Sequence, residues 1–453
     1  MTEAGQSEQL VRFRINRGVA IVSMSEPPYN ALSTRMVEAL HSILDRLEDE
    51  NRPLALVLIG EGGSFSTGAE PEAGAMTDPA EVARLCHRVE RWPRPAIAVL
   101  TGTALGTGAE LALAAHVRLA TPGARIGLPD IALGLPPRAG GSQRLTLIAG
   151  PDVALKLILT GRAASAEAAH AAGLVDGVIA EGDPYAAAHA LAIRLMDEGD
   201  TPKPARDMTH RFASGTRNLS QVAEARNALP KTAAYASRRI VDCVEAAVLL
   251  PFDAGCAFEA EAFAECRDHA QSRALRHLFL AERRISPLLL LADDAGQRRI
   301  QDQGKQVVSA LKAAQARAIG WLTGSGVSED QIDLAFVAQG FETGPGGGTG
   351  AGTKPVADVW PRILGALVAE GGRQLQSGQV ARTADLDALA VWGLGWPRRL
   401  GGPMIAAEIA GLPGFVRDLK GWMHEERVWA PPPPVIAASQ VAGGFATLPI
   451  TRG

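Results

Sequence analysis

The chain has 453 residues, enough for two or three domains, and 47% hydrophobic with 21% charged residues is an ordinary globular composition. Forty-five basic against 49 acidic residues give a net charge of −4, and aromatic residues make up only 5%. With no basic excess to neutralise a phosphate backbone and few rings to stack on bases, general nucleic-acid binding is excluded as a reading.

In chain order, the opening stretch MTEAGQSEQLVRFRI lacks the apolar core of a secretory leader, and no apolar run approaches the length of a membrane span. A cytoplasmic chain without a membrane partner is the expectation. Residues 11–23, VRFRINRGVAIVS, alternate and read as paired short strands. STRMVEALHSILDRLEDE has helical periodicity behind a Ser/Thr cap, and PLALVLIGEG reads as a buried strand ending in glycine. The helix DPAEVARLCHRVERWP and the strand RPAIAVLTG follow, then AELALAAHVRLAT, a helix running into a strand, and the helix DVALKLILTG. Strands alternating with helices over the first 200 residues predict an α/β domain with a partly parallel sheet. Beyond it, SQVAEARNALPKTAAYASRRIVDCVEAAVLL and AGCAFEAEAFAECRDHAQSRALRHLFLAERRI predict helices. The remainder is mostly helical, interrupted by a flexible glycine-rich loop, GPGGGTGAGTKP, and by PPPP, which is expected in neither helix nor central strand. Cys86, Cys243, Cys256 and Cys266 have no CxxC spacing and read as free thiols, and the scattered histidines give no support for a metal site.

Three stretches carry candidate chemistry. SFSTGAE, Ser64–Glu70, is a turn after a strand, and GTALGTGAELALA places Gly102, Gly106 and Gly108 where a strand passes into a helix. Backbone N–H groups at such a helix start face whatever binds above the strand. The spacing is not a dinucleotide fingerprint, because Leu111 stands where the third small residue belongs, and Lys354 followed by proline rules out a phosphate loop. Thr107–Glu110 also fits a capping box, and Asp130 in IGLPDIALGLPPRAGGSQRL could cap the turn that follows it. Two turns offering N–H donors, followed by two carboxylates about 20 residues apart, suit an oxyanion hole with acid–base groups beside it.

These stretches, FSTGAE, GTALGTGAELALAAHVRLAT, IGLPDIALGLPPRAGGSQRLTLIAG and LILTGRAASAEAAHAAGLVDGVI, resemble the crotonase superfamily of enoyl-CoA hydratases and isomerases over residues 10–190. RNALPKTAAYASRRIVDCVEAAVLLPFDAGCAFEAEAFAEC looks like the linker helices of multifunctional β-oxidation enzymes, and the region from VSEDQIDLAFVAQGFETGPG onward is similar to their C-terminal helical modules. The resemblance implies a spiral ββα α/β crotonase domain over 1–195, a helical linker completing it over 196–300, and an all-α dehydrogenase-like region over 301–453. The dinucleotide-binding domain that separates linker from modules in those enzymes has no counterpart, so no NAD and no 3-hydroxyacyl-CoA dehydrogenase activity are expected. Coenzyme A enters only as part of the substrate.

Carried over by position, the oxyanion-hole N–H groups fall on Ala69 and Thr107, where the family usually has glycine at the second, and the catalytic acids on Glu110 and Asp130. Ala31 and Leu32 in YNALS, with Ala69 and Glu70, fall on coenzyme A-binding positions. Aspartate at 130 is one methylene shorter than the family's usual glutamate, ~1.5 Å of reach. The implied activity is hydration of a trans-2-enoyl-CoA. The alternatives are Δ3,Δ2-enoyl-CoA isomerisation, retro-aldol cleavage, or a non-catalytic acyl-CoA-binding subunit. A monomer or homodimer is implied, with a separate dehydrogenase or thiolase as possible partner.

Overall fold

The computed structural model describes residues 10–50, 54–68, 77–179, 182–208, 215–230, 233–285, 290–292 and 298–448. They fall into two compact units, one ending at Asp268 and one beginning at His269. The stretch expected as a linker, 196–300, is thus shared between them.

In the first unit β1 (Val11–Asn16) and β2 (Val19–Met24) form an antiparallel hairpin. Its two-residue turn puts Arg17 and Gly18 at positive φ, 48° and 79°, the twist that suits flanking strands. Parallel to β2 run β3 (Ala55–Gly60), β5 (Ala96–Leu100), β7 (Val117–Ala120) and β10 (Gly177–Val178), completing a six-stranded sheet. A second sheet is built from β4 (Ser64–Ser66), β6 (Thr103–Leu105), β8 (Arg125–Gly127) and β9 (Ala164–Ser165). Three times the chain passes from the larger sheet to the smaller and then into a helix. β3 and β4 lead to α2 (Pro79–Glu90), and β5 and β6 to α3 (Thr107–Ala114). β7 and β8 lead through a helical turn, Pro129–Leu133, to α4 (Gly141–Ala149). This is the ββα spiral implied by the resemblance.

Period-2 alternation sets the layers. Val19, Ile21, Val57, Ile59, Ile97 and Val99 face a helix, Pro184–Asp197, through its Ala188, Ala192 and Leu195. Ala20, Val22, Leu56, Leu58, Ala98 and Leu100 face the main core with α1 (Thr34–Glu48), α2 and α3. Ser33 caps α1 by accepting a hydrogen bond from Met36 N–H, and Asp78 caps α2 through Ala80 N–H. Helices Gly215–Ala228, Tyr235–Leu249 and Phe252–Asp268 complete the unit.

Among its described residues the second unit is helical apart from a short ribbon, Leu290–Ala292 with Arg298–Ile300. Leu311, Leu367, Leu386, Leu389, Leu419 and Trp429 centre its core. Two sequence expectations need correction here. The glycine-rich loop is organised around a buried carboxylate: Asp333 accepts hydrogen bonds from Gly346 N–H (2.9 Å) and Gly348 N–H (2.8 Å). PPPP does enter a helix, because its last two prolines open Pro433–Ala438, where a missing N–H costs nothing.

Asn30 ties the turn before α1 to the start of the smaller sheet. Its φ is +47°, a conformation asparagine tolerates. Its side chain accepts from Glu26 N–H (2.8 Å) and donates to the carbonyls of Glu61 (2.8 Å) and Ser64 (2.7 Å). Asn30→Ala should lower the unfolding free energy by about 2–4 kcal/mol, since three groups lose their partner. Chemical denaturation checks this, and an unchanged midpoint would show that the turn holds without it.

Candidate functional site

Glu110 lies in α3, whose N-cap is Gly106 without a side-chain cap, so the capping box read from Thr107 and Glu110 does not form. Fully buried, its carboxylate crosses instead to the segment leading into α4. Oε1 accepts hydrogen bonds from the N–H groups of Arg138 (3.1 Å), Ala139 (2.7 Å) and Gly141 (2.9 Å). A methyl group on Gly141 would fall 2.5 Å from Oε1, so glycine there is what allows the approach. The other oxygen, Oε2, is buried without a hydrogen-bond partner. Burial raises the Glu110 pKa well above the ordinary carboxylate range, and the charges of Glu259 and Asp130 add to the rise. The Ala139 N–H and the Arg138 guanidinium oppose it.

Asp130 sits in the helical turn Pro129–Leu133 but does not cap it; the cap position is Leu128. Its Oδ1 is 3.6 Å from Arg138 Nη2, and its Oδ2 is buried without a hydrogen-bond partner. Oδ2 would lie 3.4 Å from a methyl placed on Gly106, which locates the carboxylate against the turn that starts the helix of Thr107 and Glu110. Burial raises its pKa, and Arg138 works against that rise. The structure therefore gathers Glu110, Asp130 and the first turn of α3 around one spot.

Thr107 is the first residue of α3, where backbone N–H groups point out of the helix start. The turn after β4 meets it there: a methyl on Gly68 would be 2.9 Å from Thr107 N and 3.0 Å from Thr107 Oγ1. Ala69 and Glu70 follow Gly68 directly but lie outside the described residues. Ala31 and Leu32 are buried. Leu32 N–H donates to Gly68 O (3.0 Å) and its carbonyl accepts from Thr77 Oγ1 (2.7 Å), which fastens the YNALS turn to the turn after β4.

Three features escaped the sequence reading. Glu259, from the helix Phe252–Asp268, is fully buried against the same loop as Glu110. Its signal was an acid within the apolar stripe Gly255–Ala262–Phe263–Cys266 of that helix. Arg138, a cation in an otherwise apolar proline turn, packs its guanidinium on the Phe263 ring at 5.1 Å. Beneath the loop, Arg144 and Glu90 form a bidentate buried pair at 2.9 and 3.1 Å, and Arg144 Nη1 donates to Ala139 O (2.6 Å). Burial alone would raise Glu90, but Arg144 overrides it and holds the carboxyl at about 2.

The family description "Enoyl-CoA hydratase/isomerase" matches residues 14–242, more than half of the chain. A peroxisomal bifunctional enzyme of Danio rerio is 34% identical over 273 residues, covering 59% of this chain and 37% of that protein. The Homo sapiens peroxisomal bifunctional enzyme is 31% identical over 282 residues, covering 60% of this chain and 38% of its own length. These matches thus span well under half of each bifunctional relative. A probable enoyl-CoA hydratase of Bacillus subtilis (strain 168) is 35% identical over 199 residues, covering 42% of this chain and 76% of that protein. The solved structure of an enoyl-CoA hydratase from Bacillus anthracis shares 25% identity over 60% of this chain and 97% of its own, with a TM-score of 0.38.

The raised pKa of Glu110 has a thermodynamic consequence. A carboxyl whose folded pKa exceeds its unfolded value, about 4.3, contributes most below that value, and the contribution is lost as pH rises through the folded pKa. Glu110→Gln removes this loss, so the variant's Tm minus that of the unaltered protein should increase from pH 5 to pH 8. Thermal melts across that range check it, and a difference independent of pH would contradict the assignment.

Proposed function

The chain belongs to the enoyl-CoA hydratase/isomerase family, and from that premise we propose that it hydrates trans-2-enoyl-CoA thioesters in a β-oxidation-type pathway. The observation carrying this reading is the pair of buried carboxylates, each with one oxygen lacking a hydrogen-bond partner, one carried by the first turn of α3 and the other set against its N-cap Gly106. Hydration needs one group to activate water and another to protonate carbon, and both positions here are acids.

The thioester carbonyl would lie between the N–H groups of Ala69 and Thr107, which stabilise the enolate as charge moves onto oxygen. Ala31 and Leu32, with Ala69 and Glu70, would hold the coenzyme A portion. Hydrogen bonding between Leu32 and Gly68 links that end of the site to the oxyanion end. Glu110 Oε2 would hold and deprotonate the water adding at C3, while Oε1 stays fixed by three N–H groups. Asp130 would deliver the proton to C2. Its Oδ2 lies 3.4 Å from where a methyl on Gly106 would stand, beside the helix start that carries Thr107.

A second reading rests on Arg138. Its guanidinium 3.6 Å from Asp130 favours a carboxylate that stays ionised, and a single anionic base shuttling a proton between C2 and C4 is the chemistry of Δ3,Δ2-isomerisation. Oxidation of the 3-hydroxyacyl product would fall to a separate dehydrogenase.

Loss of the conjugated thioester absorbance of crotonyl-CoA separates these readings. The unaltered protein should hydrate it, and Glu110→Gln and Asp130→Asn should each lower kcat by at least about 10²-fold. Turnover of a 3-enoyl-CoA alone, insensitive to Glu110→Gln, would favour isomerisation, and no turnover of either substrate would favour a binding subunit. With 3-hydroxyacyl-CoA and NAD, NADH formation should stay at background.

A further inference from the structure

Five consecutive N–H groups, residues 138–142, lead into α4, and two glutamates from different parts of the chain divide them. Glu110 takes those of Arg138, Ala139 and Gly141. Glu259 takes the other two: Oε1 accepts from Gly140 N–H (2.6 Å), and Oε2 from Ser142 N–H (2.7 Å) and the Ser142 hydroxyl. From Ala139 to Ser142 the acceptor alternates between the two glutamates. Glu259 lies outside residues 14–242, the part matching the family description.

One face of the helix Phe252–Asp268 supplies the whole contact. Gly255, one turn before Glu259, approaches Gln143 so closely that a methyl there would stand 2.1 Å from Gln143 Oε1. Phe263, one turn after Glu259, lies under the Arg138 guanidinium. Gln143 Nε2 donates to Ser142 Oγ (2.9 Å) and to Cys243 O (2.9 Å), fixing the hydroxyl that serves Glu259.

We infer that Glu259 is a positioning residue for the reaction at Glu110: it clamps the far side of the 138–142 loop, sets where Glu110 Oε1 is held, and sets its negative charge against that of Glu110. This rests on the hydratase reading for its kinetic consequence, while the clamp itself is geometry. The charged and titratable groups facing Glu110 are Glu259, Asp130 and Arg138, with Cys86 from α2. Those facing Glu259 are Glu110, Arg144, Cys243 and Cys256. Replacing a glutamate that served only as a helix cap would leave the pH at which Glu110 titrates where it was. Replacing one that acts on Glu110 changes that pH.

The test is a cycle of Glu110→Gln, Glu259→Gln and the double variant, melted from pH 5 to 9, with kcat and KM for crotonyl-CoA measured for the unaltered protein and Glu259→Gln. In the Glu259→Gln background, the pH-dependent part of the Glu110→Gln effect on Tm should move down by about one pH unit. With crotonyl-CoA, Glu259→Gln should lower kcat by about 10–100-fold and leave KM within about twofold, because it touches the loop and not the substrate. Glu259→Asp, which keeps the charge but shortens the reach, should retain the pH dependence while losing kcat. It also stands in if Glu259→Gln does not fold. A Glu110 effect with the same pH dependence in both backgrounds, or in the Asp variant one shifted as far as the neutral variant would give, overturns the inference. Absence of crotonyl-CoA turnover in the unaltered protein would instead count against the hydratase reading, with the melting cycle still reporting on the clamp.

Discussion

The site depends on one constraint: the N–H groups of residues 138–142 must be satisfied in a place water does not reach. Helix starts leave such donors without intrahelical acceptors, and a local Ser, Thr or Asp usually supplies the acceptor. The helix Gly141–Ala149 has glycine at its cap and no local side chain serving it. Two buried glutamates, one from the spiral core and one from a helix more than 100 residues further along, supply it instead. Negative charge at a helix start is favourable, which offsets part of the cost of burying two carboxylates together.

That arrangement has electrical consequences. Burial raises the proton affinity of both glutamates, and at Glu110 the charges of Glu259 and Asp130 add to it. Because Oε1 of Glu110 already accepts three N–H bonds, a bound proton belongs on Oε2, the oxygen left without a partner. The counter-charges are placed differently. Arg138 stands by Asp130, whereas Arg144 is paired with Glu90 and grips the loop through Ala139 O. Glu110 and Asp130 are thereby given unlike surroundings.

Much of this was legible in the sequence, for identifiable reasons. Alternation in VRFRINRGVAIVS and the apolar runs ending in glycine reported the larger sheet, because period 2 reflects its two covered faces. Glu110 and Asp130 stood out as two carboxylates following N–H-bearing turns, and the structure buries both and sets Asp130 against Gly106. The capping box was a false signal: Thr107 and Glu110 have its spacing, but the helix starts at Thr107, so the cap falls on Gly106. Glycine-rich GPGGGTGAGTKP read as flexible because composition does not disclose an acceptor elsewhere in the chain, here Asp333. Glu259 was hidden for the same reason. Its partners are backbone groups 117 and 119 residues away, and no local spacing encodes them.

The most direct measurement of the central claim is the titration of the Glu110 carboxyl itself, by 13C NMR of protein labelled at glutamate Cδ. The resonance is assigned by its loss in Glu110→Gln. A midpoint well above the ordinary glutamate value of about 4.3 is the expected result. A midpoint at or below that value would mean that the N–H groups of the loop outweigh burial and the neighbouring carboxylates, and would contradict the site described.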